Sequence, residues 1–223
     1  MLRVPAAEWS LLKGLTPDQV ESTLATARRR VYARGSTLFH QGDGGDSVHV
    51  VSKGHFALRV ETENGEASTL RVFGPGESFG RVIIPGRVTL RLGTIVALDA
   101  GETYELSREQ VQQLRATYPE VANAIIEIFS QELHWLAQRL LEVLHVDADR
   151  RVRRRLLELQ RQYANGQGDA AISLTQEDLA GLAGTSRSTV NRVLREEERC
   201  GTLTSRRGHI VLVDAAAIAR RAE

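Results

Sequence analysis

Between Val31 and Leu106 the apolar residues come in short alternations, such as Val48 and Val50 followed by Phe56, Leu58 and Val60. That period of two is the mark of half-buried strands. Glycines punctuate the stretch (Gly35, Gly42, Gly54, Gly74, Gly76, Gly80, Gly86, Gly93 and Gly101 among them), and Asn64-Gly65 has the composition of a type I′ hairpin turn. The pattern predicts a small all-β roll or barrel. At Leu106 the texture changes. Ser107 is placed to cap a short helix, and Pro119 suits the first turn of a longer one. From Val121 to Val143 the spacing is helical, and Phe129, Leu133, Leu136, Leu140 and Val143 step by 4, 3, 4 and 3, a coiled-coil seam. Val121, Ile125 and Ile128 form a second stripe, with Trp135, Leu141 and Leu144 further round. A helix apolar over that much of its circumference has to bury two faces. One face against the β-roll and one against a second copy satisfy both, so the pattern predicts a parallel homodimer.

Val146-Asp147-Ala148-Asp149 interrupts the helical pattern and marks a boundary and hinge, with either Asp able to cap the next helix. That helix opens with Arg150, Arg151, Arg153, Arg154 and Arg155. These read either as a solvated face or as phosphate contacts. Thr175 with Asp178 forms a capping box, Leu179, Leu182 and Ala183 an inner face, and Ala180 leaves room for a crossing helix. Gly184 supplies a turn, after which Ser186 can cap a second helix with Val190, Val193 and Leu194 facing inward. This is the spacing of a helix-turn-helix. Its second helix directs Arg187, Ser188, Asn191, Arg192 and Arg195 outward, a cationic, hydrogen-bonding face of the kind that reads a major groove. Thr202–Ser205 and His209–Val213 then flank Arg206-Arg207-Gly208, a hairpin wing with basic side chains at its tip.

Composition narrows the function. The chain has 223 residues, 42% of them hydrophobic, and a mean hydropathy of −0.24. That is enough for packed cores, with no apolar run of membrane-spanning length. Met1–Ser10 lacks the layout of a secretory signal, and the single cysteine, Cys200, fits a reducing cytoplasm. The net charge of +1 is unevenly placed, since residues 147–223 carry 14 basic against 11 acidic residues. Of the basic residues only Lys13 and Lys53 are lysine, a bias read first as that of a GC-rich genome. No enzyme motif competes: Gly42-Asp43-Gly44-Gly45 lacks the Lys-Ser/Thr of a P-loop, and no catalytic triad or zinc spacing is present. His40, His49 and His55 are isolated among strands, and Cys200 alone cannot hold an iron–sulfur cluster. The expectation is therefore no enzyme, no cofactor and no metal.

In order along the chain stand Gly35-x-x-Leu38-Phe39-x-x-Gly42-Asp43, Asp46-Ser47-Val48-His49-Val50-Val51-x-x-Gly54, Gly74-Pro75-Gly76-Glu77-x-Phe79-Gly80, Arg91, the long helix, and Ser186-Arg187-Ser188-Thr189-Val190-Asn191-Arg192. Together they resemble a Crp/Fnr-type transcription regulator over nearly the whole chain. The resemblance implies an α+β protein in three parts. Residues 1–118 are a β-roll sensor of the cyclic-nucleotide-binding type, 119–146 a dimerisation helix with its seam at Phe129, Leu133, Leu136, Leu140 and Val143, and 147–223 a winged helix-turn-helix. It implies double-stranded DNA, a second copy and RNA polymerase as partners. The expected DNA-contacting residues are Arg187 on guanine, Arg192 on a base or phosphate, Thr189 on phosphate, Ser188 and Asn191 on the same face, and Arg206 and Arg207 on the wing.

The departures bear on the ligand. Where cAMP-binding members carry Glu after the cassette glycine Gly80, this chain has Arg81; the cassette Arg is kept as Arg91, but its hydroxyl neighbour is Leu92. The Thr-Ser pair that meets the purine corresponds to Leu136-Ala137. Losing several polar ligands, each worth about 1–3 kcal/mol, predicts no response to cAMP. Two readings of Gly80, Arg81, Arg91, Leu92, Leu136 and Ala137 stay open, and a third, haem or metal carried by His40, His49 or His55, is disfavoured because these lack cysteine partners and the spacing a metal site needs. Arg81 and Arg91, with Arg87, hold a more anionic effector such as a cyclic dinucleotide, or the pocket is vestigial and the protein binds DNA without ligand. The competing functional class is a signalling module that regulates a partner protein without touching DNA; the outward arginines of the second helix and the basic wing argue against it.

Overall fold

The computed structural model describes residues 9–63, 65, 67–80, 89–164, 171–206 and 208–223. Arg81, Arg87, Asn64 and Arg207 lie outside the described residues. The chain divides into two compact units, Met1–Val60 with Val72–Trp135, and Glu61–Arg71 with Leu136–Glu223.

The first unit opens with a short 3-10 turn at Ser10–Leu12 and α1 (Pro17–Thr26). Thr16 caps α1 through a capping box with Gln19, and Pro17 begins the helix, where its missing N–H has no partner to lose. Ten strands come next along the chain: β1 (Arg28–Tyr32), β2 (Thr37–Phe39), β3 (Gly44–Gly45), β4 (Ser47–Lys53), β5 (Phe56–Glu61), β6 (Ala67–Phe73), β7 (Ser78–Phe79), β8 (Thr89–Leu90), β9 (Thr94–Ala97) and β10 (Gly101–Ser107), with Glu61 of β5 and Ala67–Arg71 of β6 assigned to the second unit. They form sheets ordered β1-β10-β4-β7 and β2-β9-β5-β6, with β3 paired to β8. Gly65, between β5 and β6, has φ +80°, the backbone that the Asn64-Gly65 turn signal calls for. The strand pattern differs from the alternation in one respect. β4 is buried at every position from Ser47 to Ser52, because it is an interior strand of its sheet with apolar clusters on both faces. Val48 and Val50 join Trp9, Leu11, Leu12, Val20, Leu24, Leu106 and Val121 on one side; Val51 joins Phe56, Phe73, Phe79 and Ile95 on the other.

Helix α2 (Arg108–Thr117) is capped by Ser107 in a box with Gln110, and α3 (Pro119–His145) runs from the first unit into the second. On α3 only Val121, Ala124 and Ile128 are buried, whereas Phe129, Leu133, Leu136, Leu140, Leu141, Val143 and Leu144 are exposed.

In the second unit α4 (Ala148–Ala164), α5 (Gln176–Ala183), α6 (Arg187–Arg199) and α7 (Ala215–Ala222) surround a core of Val152, Leu156, Leu179, Ala180, Val190, Val193, Leu203, Ile210 and Ile218. Strands β11 (Leu203–Arg206) and β12 (His209–Leu212) form the wing, in the register Leu203↔Leu212 to Arg206↔His209. Within the same unit Thr69 Oγ1 donates to Asp178 Oδ1 at 2.7 Å, and both residues are buried.

Candidate nucleic-acid interface and effector pocket

The turn between α5 and α6 is built from a few residues. Thr175 and Asp178 form the capping box that starts α5. Gly184 ends it at φ +59°, ψ +47°, a left-handed conformation that glycine adopts without steric cost, and Thr185 N–H reaches back to Ala180 O at 3.0 Å. Ser186 then accepts from Thr189 N–H and starts α6. With Val190, Val193 and Leu194 buried, the helical period leaves Arg187, Ser188, Arg192 and Arg195 exposed on the other face and Asn191 half-buried beside them. Arg187, Ser188, Asn191, Arg192, Arg195 and Arg199 line one open groove of about 680 Å³. A second, of about 770 Å³, lies between α6, the start of α5 and the wing, where Arg206 joins Arg187 and Asn191.

The polar groups of this face differ in how committed they are. Ser188 Oγ lies 2.8 Å from Ser186 Oγ, Thr189 Oγ1 lies 3.1 Å from it, and Asn191 Nδ2 lies 3.4 Å from Gln176 Oε1. Arg192 grips Asp149 of α4 with both terminal nitrogens, at 2.7 and 2.5 Å. That bond, outweighing the effect of partial burial, holds the Asp149 carboxyl below its ordinary range. Among the described residues Arg187 and Arg195 make no ion pair.

Most of the arginine run of α4 is engaged within the unit, with Arg153 and Arg155 buried and Arg150 exposed. Arg151 donates to the carbonyls of Ala183 (2.8 Å), Gly184 (2.9 Å) and Val146 (2.6 Å). Arg153 donates to Glu197 and Glu196 at 2.7 and 2.8 Å. Arg154 meets Glu142 and the Ala222 carbonyl, Arg155 meets Glu142 and Glu158, and Arg150 meets the Glu223 carbonyl. Glu197 is fully buried. Burial alone would raise its pKa, but hydrogen bonds from Arg221, Thr202 and Arg153 bring it down to about 2. The pairing of Asp149 with Arg192, of Arg151 with main-chain carbonyls and of Glu197 with Arg153 and Arg221 carries no local signal in the sequence, since the paired side chains lie 24 to 44 residues apart and a carbonyl has no sequence signature.

Of the pocket residues in the first unit, Arg91 is the informative one. Its side chain is buried and its terminal nitrogens are engaged from within: Nη1 donates to Ser47 O (2.9 Å) and Gly80 O (3.1 Å), and Nη2 donates to Ser47 Oγ (2.9 Å). The guanidinium lies 4.1 Å from the Phe39 ring centre, and Nε is buried without a partner. Gly80, at φ +77°, makes this packing possible, because a Cβ there would lie 2.4 Å from Arg91 Nη1. Leu92 is exposed beside it. Leu136 and Ala137 are exposed on α3 in the second unit. His49 stacks on Phe79 with ring centres 5.3 Å apart and is pushed down to about 4, by burial first and by Arg91 and Arg30 besides, so it is neutral at pH 7. His55 Nδ1 lies 2.8 Å from Asp99, and His40 is exposed. No group of His, Cys, Asp and Glu among the described residues could hold a metal ion, and no described helix is long and apolar enough to cross a membrane.

Comparison with known proteins agrees with this geometry part by part. The family model for the cyclic nucleotide-binding domain matches residues 29–118, and that for the Crp-like helix-turn-helix domain matches residues 150–221. A cyclic AMP receptor protein of Thermus thermophilus is 32% identical over 92% of this chain and 93% of its own length. A CRP-like cAMP-activated global transcriptional regulator of Mycobacterium tuberculosis is 26% identical over 97% of each chain. The solved structure of the c-di-GMP-responsive regulator CLP of Xanthomonas campestris superposes with a TM-score of 0.72 at 26% identity, covering 88% of this chain and 99% of that one. A roll of two four-stranded sheets, a 27-residue helix and a helix-turn-helix with a wing stand in the order these matches require, and the chain belongs to the Crp/Fnr family of DNA-binding transcription regulators.

Proposed function

We propose that the protein is a homodimeric cytoplasmic regulator that reads an inverted-repeat operator through α6 and does not respond to cAMP. The observation that carries the DNA reading is the outward edge of α6, where Arg187 and Arg195 are exposed and make no ion pair among the described residues, and Arg187 shares a groove with the wing residue Arg206. Arg187 is the guanine reader, Thr189 and the wing arginines Arg206 and Arg207 contact phosphates, and Ser188, Asn191 and Arg192 complete the face. The exposed seam Phe129, Leu133, Leu136, Leu140 and Val143 supports a parallel dimer. Such a dimer sets two reading helices about one turn of DNA apart. The division into a sensor at 1–118, a dimer helix at 119–146 and a DNA-binding domain at 147–223 goes with this reading, as does RNA polymerase as the downstream partner.

Independence of cAMP rests on chemistry at the pocket. Arg81 and Leu92 replace polar ligands, Leu136 and Ala137 are apolar or small, and the retained Arg91 spends its Nη donors on Ser47 and Gly80. This favours a pocket that is vestigial, with DNA binding in the absence of ligand. The specific observation for a second reading, an anionic effector, is the cationic pair Arg81 and Arg91. The c-di-GMP response of the Xanthomonas relative makes cyclic di-GMP the probe to use. The test is selection of random duplex DNA by the ligand-free protein, then anisotropy titration on the selected sequence alone, with cAMP and with cyclic di-GMP. Specific binding without ligand, unchanged by cAMP, is expected. Tightening by cAMP overturns cAMP independence, and specific binding only with cyclic di-GMP selects the effector reading. Absence of salt-dependent binding to any duplex would leave the non-DNA signalling module standing.

A further inference from the structure

Arg192 stands on the DNA-reading face, yet its charge is matched within the second unit. Its Nη1 donates to Asp149 Oδ2 at 2.7 Å and its Nη2 to Asp149 Oδ1 at 2.5 Å, a planar fork-to-fork pair. The pair is out in the open, with the Arg192 side chain 61% exposed and that of Asp149 29%. Asp149 sits in the first turn of α4, where the positive end of the helix also favours a carboxylate. The hydrogens engaged by Asp149 belong to the nitrogens that would form two parallel bonds to guanine O6 and N7. Arg187, five residues earlier on α6 and lining the same groove, has no such partner among the described residues. Two arginines a helical turn and a third apart thus present different propositions to a duplex: one is available to any phosphate, and the other must first give up a carboxylate.

We infer that Asp149 is a specificity-determining residue: it withholds Arg192 from arbitrary DNA and yields it only where the operator sets a base edge against it. Leaving the carboxylate gives up a charge-assisted two-pronged bond, a loss that is offset where the other operator contacts hold a two-acceptor base edge in register against both nitrogens, and not on a duplex held in no fixed register. A cation that would otherwise add to general affinity is turned toward discrimination. The inference rests on the reading of DNA by α6 proposed above.

The test compares wild type with Asp149→Asn and Asp149→Ser, the second keeping a residue suited to a helix start without the charge. Each is titrated by anisotropy on the selected operator and on a scrambled duplex at low and at physiological salt, with thermal unfolding as the check on folding. Release of Arg192 should steepen the slope of log K against log salt on scrambled DNA by about 0.9 per reading helix. Scrambled DNA should bind several-fold tighter at the low-salt end while the operator gains less, so the ratio of the two affinities falls. Adding Arg192→Gln to Asp149→Asn should return the slope to the wild-type value, whereas Arg192→Gln alone should leave the scrambled slope unchanged. Three results overturn the inference: an unchanged slope in Asp149→Asn, a steepened slope that persists after Arg192→Gln, which would make Asp149 a remote repulsive charge, or weakening on both duplexes, which would make it a brace. Failure of wild type to show salt-dependent binding to either duplex sinks the DNA reading itself, and this inference with it.

Discussion

Helices α4 and α6 both carry clustered arginines, and the fold uses the two clusters in opposite ways. On α4, Arg151, Arg153, Arg154 and Arg155 are bound to carbonyls or to Glu142, Glu158, Glu196 and Glu197, and Arg153 and Arg155 are almost wholly buried. On α6, Arg187 and Arg195 face solvent. Arg192 is intermediate, exposed but paired. The lesson is that a basic run acquires its role from the acceptors that the tertiary structure sets opposite it. Counting charge over residues 147–223 cannot separate a polyanion site from an internal clamp.

The largest expected effect tests the inward cluster. Glu197→Gln leaves Arg153 and Arg221 without their buried counter-charge and should cost about 3–5 kcal/mol of stability, read from the denaturant midpoint. The same residue gives a pH signature. Its carboxyl is held at about 2 in the fold against an ordinary 4.5, so its stabilisation is complete above about pH 5 and is lost as pH falls toward 2. The acid limb of stability should be shallower in Glu197→Gln than in wild type; an identical limb would mean that the cluster contributes little. Next in size is Arg187→Ala, expected to weaken operator binding by about 1–3 kcal/mol and to flatten preference at one base pair of each half-site, with the unfolding midpoint unmoved. Equal weakening on every sequence would show that Arg187 touches only phosphate. Arg195→Ala should lower the salt slope by about 0.9 per reading helix without changing base preference. The smallest effect is reserved for Arg150, which is exposed and, among the described residues, meets the Glu223 carbonyl. Arg150→Ala should move stability by no more than about 0.5 kcal/mol and leave the salt slope alone. A shallower slope there would mean that the α4 run reaches phosphate, and the contrast between the two helices would collapse.

What was legible in the sequence was chiefly local. Ser107, Thr175 and Ser186 announce helix starts because a side-chain cap acts within three residues. Gly184 announces the turn because its φ is positive. The 4-3 spacing from Phe129 to Val143 matches the exposed apolar edge of α3 because helical period fixes which residues share a face. Thr16-Pro17-Asp18-Gln19 carries the same kind of signal and marks α1, outside the stretch where alternation points to strands. Long-range pairing was not legible. Ser47 and Arg91 are 44 residues apart, and Asp149 and Arg192 are 43 apart. Only the folded chain shows that the retained pocket arginine has internal acceptors, or that one reading arginine is held back. β4 shows the same limit: alternation predicts one buried face, but burial of the whole strand depends on what the rest of the chain stacks against it.

Arg151 has a consequence for local opening. A single guanidinium closes the carbonyl end of α3 at Val146 and the turn of the DNA-reading motif at Ala183 and Gly184. Separate donors of the one guanidinium hold the two ends, so fraying at either loosens the group that braces the other. In native-state amide exchange, the elbow at 146–151 and the turn at 183–185 should therefore open with a common free energy, as one cooperative unit. Arg151→Lys, which presents a point charge in place of a planar fork, should split that unit in two, with the turn exchanging faster than the elbow.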